Sequence, residues 1–246
     1  MSANRGAKIV LNWLERSRAQ RIAWLMEELH LDYSIQPFKR NPTGTAPAEL
    51  KKIHPLGKSP TISIQPPSPT SKPIILAETT PIMSYLVEHF ADEATGAKLI
   101  PRKYEPGMER ELGGETEAWM RYQYYNSYVE GTLQNAPIPF FLKPIINFIA
   151  SKVNSEFLDQ EFKTHYGFLE EQLATAPDGG PYICGKDLSL ADIQLSLPVF
   201  MGLMLGVISK NEYPLLHGYA ERLKREQGYR RVVERAAEVG EGAMLE

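Results

Sequence analysis

Three short stretches carry side chains whose types and spacing suit the handling of a small anionic ligand. In "WLERSRAQR", Ser17 stands between a strand-like run and a helix-like one. A hydroxyl at that place can donate to a bound thiolate, and the dipole of the following helix favours the same anion. The plain alternative is that Ser17 only caps the helix. In "HPLGKSPTI", Lys58, Ser59 and Pro60 interrupt the chain directly before a strand. Proline is tolerated there because its missing donor needs no partner. With a cis Ser59–Pro60 bond the neighbouring N–H and C=O would turn outward and pair with an extended, peptide-like ligand. With a trans bond the stretch is an ordinary loop-to-strand junction. In "LAETTPIMSYL", Thr79 or Thr80 is expected to cap a helix, with Pro81 in its first turn. Free amides at that helix start would meet a carboxylate, and Glu78 would receive an ammonium group. The pair suits the end of an α-amino acid, although capping alone also explains it.

These residues need a scaffold, and the hydrophobic pattern supplies one. "KIVLNWL" reads as a strand, and "SRAQRIAWLMEELHL" places Ile22, Leu25, Met26 and Leu29 at helical spacing. "DYSIQPF" is a second strand and "APAELKKI" a short helix. "TISIQ" and "PIILA" form a strand pair around the surface turn "PPSPTSK". "TPIMSYLVEHF" closes the series as a helix with Ile82, Tyr85, Leu86 and His89 on one side. The order β-α-β-α-β-β-α makes a compact α/β unit with a mixed four-stranded sheet.

Beyond about residue 104 the strand signals stop, and four long runs, "PGMERELGGETEAWMRYQYYNSYVEGTL", "SEFLDQEFKTHYGFLEEQLATA", "SLADIQLSLPVFMGLMLGV" and "YPLLHGYAERLKREQGYRRVVERAAEV", all read at a helical period. The expected division is an α/β domain over residues 1–95, a linker over 96–104 and an all-helical domain over 105–246.

Composition narrows the function classes. The 246 residues are 43% hydrophobic and 23% charged, ordinary globular values for one large or two smaller domains. A net charge of -3 and the lack of a basic stripe with interleaved aromatics argue against nucleic acid as a partner. The single cysteine, Cys184, can form neither an intrachain disulfide nor a thiolate metal site, which points to a reducing compartment such as the cytoplasm. It is expected as a small buried hydrophobe. The N-terminus lacks the apolar run of a signal peptide, and no run reaches the roughly 18 apolar residues of a membrane span.

The three stretches, in this order and within this unit, resemble the glutathione transferase family. The stretches "SRAQR", "ELKKIHPLGKSP", "ILAE" and "YVEG" are similar in particular to fungal transferases related to the endoplasmic-reticulum-associated type. The resemblance covers essentially the whole chain. It implies a thioredoxin-like domain with a cis-proline loop followed by an all-helical domain, with "SLADI" as a helix-capping segment in which Ser189 and Asp192 form a capping box. It further implies that Ser59 pairs through its backbone with the cysteinyl part of glutathione beside Pro60. Glu78 and Thr79 would hold the γ-glutamyl end, and Lys58 would steady a carboxylate. Arg40, with Lys39, would reach the glycyl carboxylate, and His54 is a further cation candidate.

The chemistry so implied needs no metal and no covalent enzyme intermediate. A thiol of pKa near 8.5 is a few per cent ionised at pH 7. Lowering that value by two units takes about 2.7 kcal/mol of preferential anion stabilisation. One charge-assisted hydrogen bond of roughly 1.5–3 kcal/mol and a helix N-terminus suffice. Ser17 is the expected donor and Arg18 its nearest rival, while Asn12 and Trp13 occupy strand-end positions where a tyrosine would otherwise serve. The absence of a cysteine before Cys184 disfavours a thiol-transfer mechanism.

In the helical half, Tyr122, Tyr125 and Tyr128 are three apart and share a helix face. They are expected to line the acceptor-substrate site, with Tyr125 nearest the thiol, unless they pack between helices. The proline-broken apolar run 136–153 is read as a pocket-lining or dimer element, with attachment to a membrane surface, that of the endoplasmic reticulum for example, as the alternative. The expected activity is conjugation of glutathione, the co-substrate, to small hydrophobic electrophiles by a homodimer, with glutathione-dependent peroxidase activity as an accompaniment. The alternative is a non-catalytic protein of the same fold that binds glutathione or hydrophobic ligands.

Overall fold

The computed structural model describes residues 3–68, 70–133 and 155–240, with side chains from residue 160 in the last segment. In chain order the elements are β1 (Lys8–Leu14), α1 (Ala19–Glu28), β2 (Tyr33–Phe38), a 3-10 turn (Ala48–Lys52), β3 (Thr61–Gln65), β4 (Ile74–Ala77), α2 (Thr79–Phe90) and α3 (Glu93–Leu99). After these come α4 (Glu117–Tyr128), a π-helical turn (Val129–Leu133), α5 (Ser155–Ala174), a 3-10 turn (Pro177–Gly179), α6 (Leu190–Met204), α7 (Pro214–Arg225) and α8 (Gln227–Glu238). The chain forms two compact units, one of residues 1–97 and 224–246 and one of residues 98–223.

The first unit is built on a four-stranded sheet of order β2-β1-β3-β4. β1 pairs with β2 in parallel and with β3 antiparallel, and β3 pairs with β4 antiparallel. A parallel pair needs a crossover, which α1 supplies, whereas the antiparallel β3 and β4 are joined by the proline-rich turn. The buried side chains Ile9, Leu11, Ile62 and Ile64 form the centre of the sheet's core.

α1 departs from the expected amphipathic pattern, because every residue from Ala19 to Glu27 is buried, the polar Gln20, Arg21 and Glu27 included. The reason is α8, which covers the polar side of α1. Glu27 receives Arg231 Nε at 2.8 Å, Arg235 Nε at 2.9 Å and the Tyr33 hydroxyl at 2.8 Å. Trp24 meets the Tyr229 ring at 5.0 Å, and Arg235 lies 4.4 Å over the Tyr33 ring. Gly228 eases the approach, since a Cβ there would crowd the Glu28 carboxylate and stand 2.9 Å from Trp24 Cδ1. By its packing, the last stretch of the expected helical domain of residues 105–246 groups with the first unit. Periodicity finds α8 but does not say which core takes its apolar stripe.

Other expectations shift by a residue or a turn. The buried side of α2 is Ile82, Met83, Leu86 and Val87, while the Tyr85 and His89 rings meet at a tilt, 4.1 Å apart, away from that face. The run starting at Pro106 becomes helical only at Glu117, because Thr116 Oγ1 accepts the Trp119 N–H at 3.1 Å and begins α4 there. The final helical run divides at Glu226, whose extended backbone separates α7 from α8.

In the second unit the capping box at the start of α6 is present. Asp192 Oδ1 accepts the Ile183 N–H at 2.9 Å and the Tyr219 hydroxyl at 2.8 Å. Its Oδ2 accepts the Ser189 N–H at 2.8 Å and the Ser189 hydroxyl at 2.6 Å. Cys184 is buried, and burial first, then the Asp192 charge, push its thiol well above the ordinary value, so it stays protonated. Among the described residues no helix is long and apolar enough to cross a membrane, and no group of three or more acidic, histidine or cysteine side chains is placed to hold a metal.

Candidate functional site

The sheet register brings the chemistry-bearing stretches of the first unit to one end of the sheet. Asn12 on β1 pairs with Thr61 on β3, and Thr61 pairs with Ala77 on β4. Past this row β1 runs on toward Ser17, β3 is entered from Ser59 and Pro60, and β4 leads into Glu78 and Thr79. On the far side Leu14 pairs with Phe38, which precedes Lys39 and Arg40. All eight residues expected to bind or activate the thiol tripeptide, Ser17, Arg18, Arg40, Lys58, Ser59, Pro60, Glu78 and Thr79, therefore sit in loops or helix starts at that end.

Ser17 is 9% exposed and its hydroxyl oxygen accepts the Ala19 N–H at 3.2 Å, the first amide of α1. It is one residue outside the helix boundary, because Arg18 occupies the N-cap position, with helical backbone angles and no side-chain cap bond. The second contact of Ser17 is the Ser59 hydroxyl at 3.1 Å. Ser59 Oγ also donates to the Asn12 carbonyl at 3.3 Å and accepts the Leu14 N–H at 3.5 Å. Asn12 is itself held by its amide, which donates to the Thr61 carbonyl at 3.4 Å and to Ser63 Oγ at 3.3 Å. The Ser59–Pro60 bond is cis, Pro60 is buried, and Lys58 is exposed.

The start of α2 differs from the expected Thr cap. Glu78 is the N-cap, with φ 70 and ψ 143, and Thr79 is already the first helical residue. A glutamate in that left-handed backbone region is sparsely populated, a feature that concentrates at ligand-binding positions. The Glu78 side chain is exposed and makes no cap bond, while Thr79 is fully buried and its Oγ1 has no hydrogen-bond partner among the described residues. Thr61 Oγ1 and both ends of the Gln20 side-chain amide are buried and equally without partners there. Buried polar atoms of this kind are costly unless a ligand or water meets them.

Arg40 takes a different place from the one expected. Its guanidinium donates to the Glu15 carbonyl at 3.1 Å, the Arg16 carbonyl at 3.2 Å and the Gly44 carbonyl at 3.0 Å. It thus braces the β1–α1 loop that ends in Ser17, and burial lowers its pKa below the usual guanidinium value. Lys39 is exposed, and His54 is half-buried with Nδ1 unpartnered among the described residues.

The three tyrosines do share a face of α4, but it is the buried one. Tyr125 is 0% exposed and donates to Gln172 Oε1 at 3.2 Å. Tyr128 meets His165 Nδ1 at 2.6 Å, and Tyr122 is buried as well. Burial pushes the phenol pKa of all three upward. Interhelical packing is what places them, and their neighbour Tyr124 is the exposed member of the cluster. The apolar run 136–153 lies wholly in residues 134–154, outside the described residues.

Sequence reasoning missed the side chain of Ser59, the bracing by Arg40, and Asn12, Thr61 and Gln20. The signal for Asn12 was a polar residue in the middle of "KIVLNWL", where an apolar one packs.

Known proteins resemble this chain across most of its length. Residues 17–89 match the family model for the glutathione S-transferase N-terminal domain, and residues 141–228 match that for the C-terminal domain. Glutathione S-transferase 1 of Saccharomyces cerevisiae is 30% identical over 245 residues, which cover 94% of this chain and 97% of the yeast protein. A glutathione S-transferase structure from Actinobacillus pleuropneumoniae superposes with a TM-score of 0.68 at 25% identity, covering 96% of this chain and 95% of the bacterial one. A glutathione transferase homolog from Lodderomyces elongisporus, crystallised with two GSH per subunit, has the same fold at a TM-score of 0.66 and 21% identity, covering 92% of this chain and 97% of that one.

Proposed function

The chain belongs to the glutathione S-transferase family, and from that premise we propose that it binds glutathione at the end of its sheet and activates the thiol through Ser17. The observation that carries the reading is the Ser17 hydroxyl, buried at the first turn of α1 beside Ser59. A thiolate bound next to it receives one hydrogen bond from Ser17 and the favourable end of the α1 dipole. Together these are of the size, about 2.7 kcal/mol, that shifts a thiol pKa by two units. The thiol proton leaves to solvent. The sulfur then forms a bond to the electrophilic carbon as the bond to the leaving group breaks, and the leaving group departs with the electron pair.

The N–H and C=O of Ser59, beside the cis Ser59–Pro60 bond, pair with the cysteinyl backbone of the tripeptide. Glu78 receives the γ-glutamyl ammonium, and Thr79, whose hydroxyl is buried with no partner among the described residues, receives the adjacent carboxylate. Lys58 is exposed and steadies a ligand carboxylate. Arg18, at the N-cap, adds positive charge to the same end of α1. The second substrate is a small hydrophobic electrophile, and the working form is a homodimer. A second copy would cover exposed apolar side chains such as Leu56 and Ile75 in one unit or Met120 and Tyr124 in the other.

Ultraviolet difference titration of the protein with glutathione at about pH 6.5, where the free thiol is almost wholly protonated, tests the reading. Thiolate absorbance in the complex is the expected result. Binding without thiolate would leave a glutathione-binding protein that does not activate its ligand, and no binding would remove the site.

A further inference from the structure

We infer that the Ser59 side chain is a positioning residue that sets the direction of the Ser17 proton, a role separate from the backbone contact of Ser59 with glutathione. The inference rests on the reading of Ser17 as the thiolate donor. It follows from counting protons and lone pairs at the two hydroxyls.

Ser17 Oγ accepts the Ala19 N–H and lies 3.1 Å from Ser59 Oγ, where either atom can donate. Ser59 has one proton and two acceptors in reach, the Asn12 carbonyl at 3.3 Å and Ser17 Oγ. Two arrangements satisfy the pair. When Ser59 donates to Asn12, the Ser17 proton fills the gap between the hydroxyls and is directed at Ser59, away from any ligand. When Ser59 rotates its proton to Ser17, the Ser17 oxygen accepts two bonds, from Ala19 and Ser59. Its own proton is then the one left to point at a thiolate. In that second arrangement the bond from Ser59 also polarises the Ser17 hydroxyl and makes it a stronger donor.

The Asn12 carbonyl holds the resting arrangement, and the thiolate draws the pair into the other one. No atom is transferred; a hydroxyl proton turns about its C–O bond. The surrounding geometry supports such an exchange, because the bond to be broken at Ser59 spans 3.3 Å and the one to be made 3.1 Å, both long for hydroxyl hydrogen bonds. Asn12 is fixed by Thr61 and Ser63 and so presents its carbonyl at a constant position.

The isosteric pair Ser59→Thr and Ser59→Val tests this, since both keep the same backbone contact and the same shape and only threonine keeps the hydroxyl. Ser59→Ala against the wild type makes the same comparison without a β-branch. The bound-thiol pKa is read by difference titration, and kcat and the KM for glutathione by steady-state kinetics. The valine variant is expected to bind glutathione with a thiol pKa about one unit above that of the threonine variant and with kcat about tenfold lower, while the KM values for glutathione agree within about twofold. In a Ser17→Ala background the difference between threonine and valine is expected to vanish, which a merely structural role would not produce. Equal pKa and kcat for threonine and valine, with a thiolate still present in the wild type, overturn the inference and leave the reading of Ser17 intact. A wild type with no bound thiolate, or a Ser17→Ala variant that matches it, overturns both.

Discussion

Each unit has a place where hydrogen-bond donors converge next to a helix start, and the two places differ in where the negative charge comes from. At the start of α6 the chain supplies it: Asp192 takes four donors between 2.6 and 2.9 Å, from Ile183, Ser189 twice and Tyr219. At the end of the sheet the hydroxyls of Ser17, Ser59 and Thr79 and the starts of α1 and α2 are joined by one carboxylate, that of Glu78, which is exposed and makes no cap bond. The contacts there are longer, 3.1 to 3.5 Å, and Thr79 Oγ1 has no partner among the described residues. A serine beside a helix start is thus the same signal in both units and serves folding in one and ligand binding in the other. What separates them is whether a carboxylate of the chain takes the donors, as Asp192 does and Glu78 does not.

Breaking the internal anion should have the largest effect. Asp192→Asn replaces an acceptor of four donors by a group that accepts at one atom and donates at the other, so two donors face an NH2. A loss of roughly 3–5 kcal/mol in denaturant unfolding is expected. A loss below about 1 kcal/mol would show that the four bonds do not hold the unit together. The corresponding change at the sheet end, Ser17→Ala, removes no charge and leaves stability within about 1 kcal/mol, but lowers kcat by about a hundredfold with a much smaller change in glutathione affinity. Unchanged turnover would take Ser17 out of the reaction.

Thr79→Val sharpens the contrast further, because the hydroxyl it removes is buried and unmatched by described residues. Removing an unmet buried polar group is neutral or stabilising, so the melting temperature should hold or rise slightly. Glutathione affinity should fall about tenfold, as for the loss of one hydrogen bond to a charged group. Titration calorimetry alongside thermal melts reads both signs in one variant. A destabilised protein with normal affinity would reverse the assignment.

The same distinction explains what could be read from the sequence. The β-α-β-α-β-β-α order was legible because strand and helix periods alternate cleanly up to Phe90, and the site stretches were legible because Ser17, Ser59-Pro60 and Glu78-Thr79 each interrupt a periodic element at its end. The capping box was legible because Ser189 and Asp192 are close in sequence. The resemblance places Arg40 near the glycyl carboxylate, and only the folded loops reveal the three carbonyls of Glu15, Arg16 and Gly44 that its guanidinium also meets. The docking of α8 on α1 was hidden for the same reason. Its partners, Glu27 with Arg231 and Arg235, lie more than 200 positions apart. Contacts made at long separation leave no periodic trace, and those are the contacts that decide whether a polar side chain is available.

Tyr125 is the last and smallest test of this contrast, since from sequence it either lines the acceptor site or packs between helices, and it is found enclosed. It is fully buried, its ring lies 5.2 Å from Tyr124 and 6.5 Å from Phe168, and its hydroxyl donates to Gln172. Burial raises its phenol pKa, so it stays neutral at any pH at which the protein works. Tyr125→Phe keeps the ring contacts and removes one neutral hydrogen bond across 3.2 Å, leaving the Gln172 oxygen unmet. The expected cost is about 0.5–1.5 kcal/mol of stability, seen as a small fall in the unfolding midpoint. The kcat with a small aromatic electrophile should stay within about twofold of the wild type. A fall in kcat of tenfold or more at unchanged stability would return Tyr125 to the acceptor side of the reaction. It would also show that enclosure in this helical unit does not by itself separate packing residues from working ones.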